Sequence, residues 1–366
     1  FFLSGEVSTE KDPSPSAIGV YKVKDEKLKE IEEKPLYINP QVGGNNLLSA
    51  ELLEMKDLEH IKARQNVRYN IAMVAGKIDF KPSDNITFTI GGSTNYRNSH
   101  GYDYDGNFVW DYALLNPSNN PQSITNSMRM YGKIVHKIGK QGASKDDKTT
   151  SLINNAYYTL QVGYNKIKTT VQDDTHKDKF FDYGYIGQFN TYKIPQFTLM
   201  RDRDNIIDST YYVQTTWADT LVSFLPGDEN PNGTNYTEQY YNFLLPNKPN
   251  SFDDIQQGRG MINGERPVSA FNIWYNTGRQ YNGYAKEDNS QFRVSGSFSA
   301  DIKSHAIQAG FEYEKRNDKY WLLNPIGLWT NMRAYTNRHI VGLDRADSSY
   351  YPGPIFWVGN TGSTIV

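Results

Sequence analysis

Apolar and polar residues alternate along several stretches of this chain, a period of two that puts successive side chains on opposite faces of a β-strand. Over 292–302, Phe292, Val294, Gly296, Phe298, Ala300 and Ile302 share one face, and Arg293, Ser295, Ser297, Ser299 and Asp301 share the other. Lys303 and Ser304 separate this run from a second, in which Ile307, Ala309, Phe311 and Tyr313 oppose Gln308, Glu312 and Glu314. So short a link predicts a β-hairpin.

The same pattern recurs upstream. Ala72, Val74, Gly76, Ile78 and Phe80 oppose Lys77 and Asp79; after a turn at 81–85, Ile86, Phe88 and Ile90 oppose Thr87 and Thr89. Met128, Met130, Gly132, Ile134 and Ile138 oppose Arg129, Lys133 and Lys137. Beyond a polar link at 139–150, Ala156, Tyr158, Leu160, Val162 and Tyr164 oppose Thr159, Gln161 and Asn165. Phe1, Leu3, Gly5 and Val7 oppose Ser4 and Glu6 at the start. About seven strands are therefore expected, near 1–7, 71–80, 86–96, 127–138, 153–167, 292–302 and 306–315.

Their connections alternate between short and long. The turns at 81–85, 139–150 and 303–304 contrast with long loops at 8–69, 97–126, 172–290 and 317–366. An antiparallel up-and-down meander with unequal ends is the arrangement of outer-membrane barrels, whose periplasmic turns are short and extracellular loops long. About 9–11 tilted residues cross the hydrocarbon layer as a strand, which suits these runs. The fold expected is all-β: one transmembrane barrel domain, seen in part, with long extracellular loops. One short loop helix is expected between Ser49 and about Arg68, with Leu52, Met55, Leu58 and Ile61 at helical spacing and Ser49 as its cap. The aromatics of 172–290 point to an ordered, packed cap.

Composition narrows the function. The mean hydropathy of −0.69 and the lack of a long apolar run exclude a bundle of transmembrane helices. With 27 Tyr, 17 Phe and 6 Trp, aromatics reach 14%, too many for a disordered chain. A net charge of −2 argues against a general nucleic-acid binder. There is no Cys, hence no disulfide, thiolate-bound zinc or thiol nucleophile.

Catalytic patterns are missing. His60, His100, His136, His176, His305 and His339 are scattered without metal-ligand spacing. Asp103-Tyr104-Asp105-Gly106-Asn107 partly matches a calcium loop, but the closing Glu is lacking, so a polar loop tip is expected, with Ca²⁺ as the alternative. Gly258-Arg259-Gly260 is too short for a phosphate loop. No cofactor and no enzymatic activity are expected. Aromatic rings interleaved with hydrogen-bonding groups suit sugars or peptides, which makes Tyr102, Tyr104, Trp110, Tyr236, Tyr240, Trp274 and Tyr281 the candidate substrate contacts.

Phe1-Phe2-Leu3-Ser4-Gly5-Glu6, Pro15-Ser16-Ala17-Ile18-Gly19, and Asp57-Leu58-Glu59-His60-Ile61-Lys62 leading into Gly76-Lys77-Ile78-Asp79-Phe80 resemble the barrel of TonB-dependent outer-membrane receptors of Bacteroidota, of the Oar-like branch. Gly296-Ser297-Phe298, His305 and Gly310-Phe311-Glu312-Tyr313 resemble its later hairpin. The resemblance covers most of the chain but consists of barrel patterns rather than functional motifs. It implies a barrel of about 22 strands closed by an N-terminal plug. It also implies nutrient import (a peptide, glycan or chelate) driven through TonB, with membrane lipids and a surface lipoprotein as partners. No plug or TonB box is found here, so the expectation is an internal section of a longer chain, with TonB engaged outside it. A large barrel for protein export or assembly, and a secreted all-β glycan-binding protein or glycosidase, are the competing readings.

Overall fold

The computed structural model describes residues 1–38, 46–101, 114–138, 153–201, 210–243, 248–272, 274–302 and 305–341. In chain order its first elements are β1 (Phe2–Glu10), β2 (Val20–Val23), α1 (Asp25–Glu33), β3 (Leu36–Tyr37), β4 (Leu47–Leu48), β5 (Leu58–Ile61), β6 (Tyr69–Ser83) and β7 (Ile86–His100). Then follow β8 (Gln122–Ile138), β9 (Ile153–Gln172), β10 (Gly187–Arg201), β11 (Thr210–Pro226), α2 (Pro231–Phe243), α3 (Phe252–Gln257), β12 (Tyr284–Ile302), β13 (His305–Leu323) and α4 (Gly327–Val341). The protein is predominantly β, with 54% of residues in strands and few helices. No described helix is long and apolar enough to cross a membrane, which says nothing of a crossing by strands.

A seven-stranded antiparallel sheet in the order β1-β6-β7-β8-β9-β12-β13 contains the alternating runs. Each long connection leaves one end of this meander, and each short one the other. Cross-strand partners share a face, so the register sorts the side chains. One face carries rows such as Ile78, Ile90, Gly132, Val162, Val294 and Tyr313, followed by Phe80, Phe88, Ile134, Leu160, Gly296 and Phe311. The opposite face carries Asp79, Thr89, Lys133, Gln161, Ser295 and Glu312.

Among the described residues, no second layer covers the apolar face. Ile78, Phe80, Ile90 and Phe311 are 63%, 62%, 71% and 61% exposed, and a continuous apolar surface of this kind exceeds what a water-soluble monomer ordinarily shows. Toward the long-loop end the apolar band stops at Val7 on β1, Ala72 on β6, Tyr96 on β7, Met128 on β8, Tyr164 on β9, Phe292 on β12 and Tyr313 on β13. The next residues on that face are Thr9, Asn70, Asn98, Asn126, Lys166, Ser290 and Lys315.

This border is oblique. Val7, Ala72 and Tyr96 lie in one hydrogen-bonded row, whereas the row of Tyr313 meets β6 at Ile78, six residues away (78 − 72). Six residues are about 20 Å of strand, and the six steps from β1 to β13 are about 29 Å, so the border runs at about 35° to the hydrogen-bond rows.

The buried core lies in the loops. One cluster joins Leu36, Leu48, Ile186, Phe224, Tyr236 and Ile255; another joins Val23, Ile31, Ala50, Leu115 and Ala270. Two small sheets, β2 with β5 and β3 with β4, organise the connection between β1 and β6.

Several expectations change here. The helix expected from Ser49 is replaced by two 3₁₀ turns, Ser49–Leu52 and Met55–Asp57, and then by β5. Ser49 Oγ donates to the Lys34 carbonyl at 2.6 Å instead of capping a helix, and Leu58–Ile61 gain backbone partners in Val20–Val23. The loops are also shorter than expected: β9 runs to Gln172, β12 begins at Tyr284 and β13 ends at Leu323. The 172–290 excursion contains the β10–β11 pair, α2 and α3, while α1 and α4 arise in stretches expected to be loop. The turn expected at 139–150 lies outside the described residues.

The chain divides into two compact units, Phe1–Tyr192 with Asp219–Thr330, and Lys193–Ala218 with Asn331–Val366. The first holds the large sheet and both buried clusters. In the second, Thr198 Oγ1 and Thr215 Oγ1 approach to 2.9 Å between β10 and β11, and Thr336 Oγ1 donates to the Met332 carbonyl at 2.8 Å in α4.

Gly258, just after α3, shows how tightly the loop core is built. A Cβ there would overlap the ring of Tyr240, itself only 8% exposed and packed in the first cluster. Gly258→Ala is therefore expected to lower stability by about 1–3 kcal/mol, measured by thermal unfolding followed through tryptophan fluorescence.

Candidate functional site

The long connection between β1 and β6 turns back on itself and is fastened by one buried ion pair. Arg64 Nη2 meets Asp12 Oδ1 at 2.6 Å and Arg64 Nε meets Asp12 Oδ2 at 3.1 Å, with side-chain exposures of 7% and 2%. The backbone N–H of Arg64 also donates to Asp12, and Arg64 Nη2 donates to the Ser14 carbonyl. Behind them Asn120 Nδ2 donates to the carbonyls of Gln65 and Asn66, and Asn66 Nδ2 donates to that of Pro117. Both ends of the connection are thus locked to the β7–β8 connection.

This frame surrounds a cavity of about 990 Å³ lined by Lys11, Lys22, Lys62, Arg64, Arg68, Asn70 and His100. Its carboxylate neighbours are already engaged. Lys22 is 2.7 Å from both Asp25 and Glu59, and His100 Nε2 is 3.1 Å from Asp174 Oδ2. That contact holds the Asp174 carboxyl below its usual value. Among the described residues Lys11, Lys62 and Arg68 have no acidic partner, so the cleft has an excess of positive charge and fits an anion. Part of the signal is visible in the sequence, as Lys62, Arg64 and Arg68; only the fold adds Lys11 and His100.

A smaller polar cavity of about 110 Å³ lies beside Asp173, His176, Asn230, Arg279 and Gln280. Asn230 Nδ2 donates to the carbonyls of Asp182 and Tyr185, and Gln280 Oε1 accepts from the N–H of Gly184, which fixes both amides. His176 Nε2 then faces Asn230 Oδ1 at 2.7 Å and Gln280 Nε2 at 2.8 Å. A neutral imidazole nitrogen either donates or accepts, so each tautomer satisfies one of these neighbours. The ring joins three loop segments.

Among the described residues, the aromatic candidates do not gather on one surface. Tyr236 is 1% exposed and donates from its hydroxyl to the Thr277 carbonyl at 3.1 Å; burial raises its pKa. Tyr240 packs in the same cluster, so both are core residues that present no ring face to a ligand. Trp274 packs against the other cluster and Phe271. Tyr281 is half-buried, its ring over Gly283. Tyr102, Tyr104, Trp110 and the acidic stretch Asp103–Asn107 lie outside the described residues. Among the described residues, no group of three or more His, Asp or Glu is placed to hold a metal ion.

No protein-family model matches the chain, and comparisons with curated proteins and with solved structures give no significant match.

Two outcomes are expected of the buried carboxylates. Burial pushes the Asp12 carboxyl up, but Arg64 and the N–H of Ser14 outweigh this and hold it below the usual value. Arg64→Ala leaves that charge buried and unpaired, so a loss of about 3–5 kcal/mol is expected. The stability that Asp12 contributes should be complete above the ordinary carboxylate range and vanish as pH falls through its depressed pKa; unfolding midpoints measured from neutral pH downward test both. Asp173 has the opposite sign: burial raises its carboxyl, while its Oδ2 accepts from the N–H groups of Thr175 and His176. Its charged form costs stability above the raised pKa. Asp173→Asn retains an acceptor oxygen and is expected to stabilise at neutral pH, with the gain fading in acid.

Proposed function

We propose that this chain forms part of the wall of a β-barrel in the outer membrane of a Gram-negative bacterium, and that the barrel imports a nutrient captured by its long loops. The observation that carries this reading is the oblique apolar band. A membrane boundary drawn across strands tilted by about 35–45° meets their hydrogen-bond rows at that same angle, and the border here runs at about 35°. On β8 the band, broken only by His136, extends over ten residue steps from Met128 to Ile138 (138 − 128). That is about 33 Å of strand, or about 27 Å along the membrane normal at this tilt, close to the roughly 25 Å of outer-membrane barrels.

A soluble sandwich would need a second sheet packed on this face. The polar face, with Arg129, Lys133, Gln161, Ser295 and Glu312, suits a wet interior. Strand β13, 19 residues long, has an unpaired outer edge among the described residues, and closure into a barrel is what removes such an edge. The resemblance to TonB-dependent receptors adds the importing role, with energy delivered through TonB and a surface lipoprotein assisting capture. No bond is made or broken.

Phe298 and Ser297 occupy adjacent positions on opposite faces of β12, and this contrast tests the reading. Phe298→Arg is expected to destabilise the protein by about 2–4 kcal/mol in bilayers, and Ser297→Arg by far less, measured by urea titration of protein folded into vesicles. Equal effects, or release of the wild-type protein from cell membranes by alkaline carbonate, would overturn the wall assignment. Uptake that persists after the proton-motive force is dissipated would overturn the TonB-driven importer.

A further inference from the structure

We propose that the basic cleft holds the phosphate headgroup of an anionic lipid at the long-loop border of the apolar band; this rests on the barrel reading. Strand parity places the cleft. Arg68 and Asn70 continue the β6 positions of Ala72 and Val74, His100 continues that of Tyr96 on β7, and Lys11 continues that of Val7 and Thr9 on β1. Asn70 and His100 are paired positions of the apolar face beyond the point where the band ends, and Arg68 and Lys11 lie one residue outside β6 and β1 at that same level. Arg68 lies four residues past Ala72 (72 − 68), or about 11 Å along the membrane normal at a tilt near 35°. Long cationic side chains at that level reach the headgroup layer.

The rest of the face agrees. Beyond the band it carries Lys166 and Lys168 on β9, Lys286 on β12, and Lys315 and Lys319 on β13. Asp288 is the one carboxylate at the paired positions of this face, and it is already 3.2 Å from Lys166 and 4.0 Å from Lys168. At the turn end, the paired positions of the same face carry neither Lys nor Arg. A soluble anion bound from the barrel interior would call for this charge on the polar face. Instead the excess follows the outer border, and the cleft is its concave part, lined by Lys11, Lys62 and Arg68, which have no acidic partner among the described residues.

The test uses the whole chain in detergent and in phosphatidylcholine vesicles, with phosphatidic acid, phosphatidylcholine and inorganic phosphate as probes. Native mass spectrometry should show phosphatidic acid retained in preference to phosphatidylcholine and not displaced by inorganic phosphate. Each cation removed should weaken binding by about fivefold at low salt, so the Lys62→Gln, Arg68→Gln double variant should lose most of the preference. If that variant fails to fold, Lys11→Gln alone should still show the fivefold loss. Undiminished retention in these variants, or displacement by inorganic phosphate, overturns the lipid site while leaving the barrel intact. Failure of the wild-type chain to insert into vesicles, read by protease protection, overturns the barrel and the site together.

Discussion

Antiparallel register is the constraint on which this structure depends. Side chains alternate with a period of two, so a slip of one residue between neighbouring strands would turn a whole strand's apolar set to the other face. Pairing of Ile78 with Ile90, and of Phe80 with Phe88, keeps the band continuous from β6 to β7. Further along, Val162 with Val294 and Gly296 with Phe311 do the same. What results is a sheet with two chemically distinct surfaces and no protein layer on the apolar one among the described residues.

That arrangement moves the ordinary protein core elsewhere. Tyr236, Ile186, Leu48 and Ile255 are buried in the loop layer, where the chain satisfies its polar groups one by one. Thr237 Oγ1 donates to the Met261 carbonyl and accepts from the Met261 N–H, and Thr234 Oγ1 donates to the carbonyl of Ile186. Such pairs leave few buried polar groups unsatisfied in backbone that has no ladder to join. The sheet and its loops are thus stabilised by different means: a hydrogen-bonded ladder with an outward apolar face, and an inward-packed aromatic core.

Charge follows the same division. The polar face mixes both signs, as where Arg293 pairs with Glu312. Beyond the border, the charged residues at the paired positions of the apolar face are lysines with the one exception of Asp288. A buried ion pair such as Asp12 with Arg64 adds geometric definition more than net stability; here it closes the loop whose Lys62 and Arg68 line one cavity with Lys11.

The alternation of Phe292 to Ile302, Ile307 to Tyr313 and their counterparts made the strands and both faces legible from the residues alone, because period-two burial is a local property. The ends of those strands were not legible. From Lys286 to Gln291 the chain is polar on both faces, yet β12 continues there because backbone pairing with Thr170 and Ile167 does not depend on side-chain polarity. Pro195 interrupts the alternation between Tyr192, Ile194 and Phe197, which concealed β10. Tyr236 and Tyr240 carry the composition of a binding surface, and only packing made them core. By itself the sequence determined which residues share a face and which end bears the loops. The tilt of the apolar border, the placing of Lys11 and Arg68 around one cavity across more than fifty intervening residues (68 − 11), and the burial of the loop aromatics were decided by tertiary structure, since each depends on contacts between segments far apart in the chain.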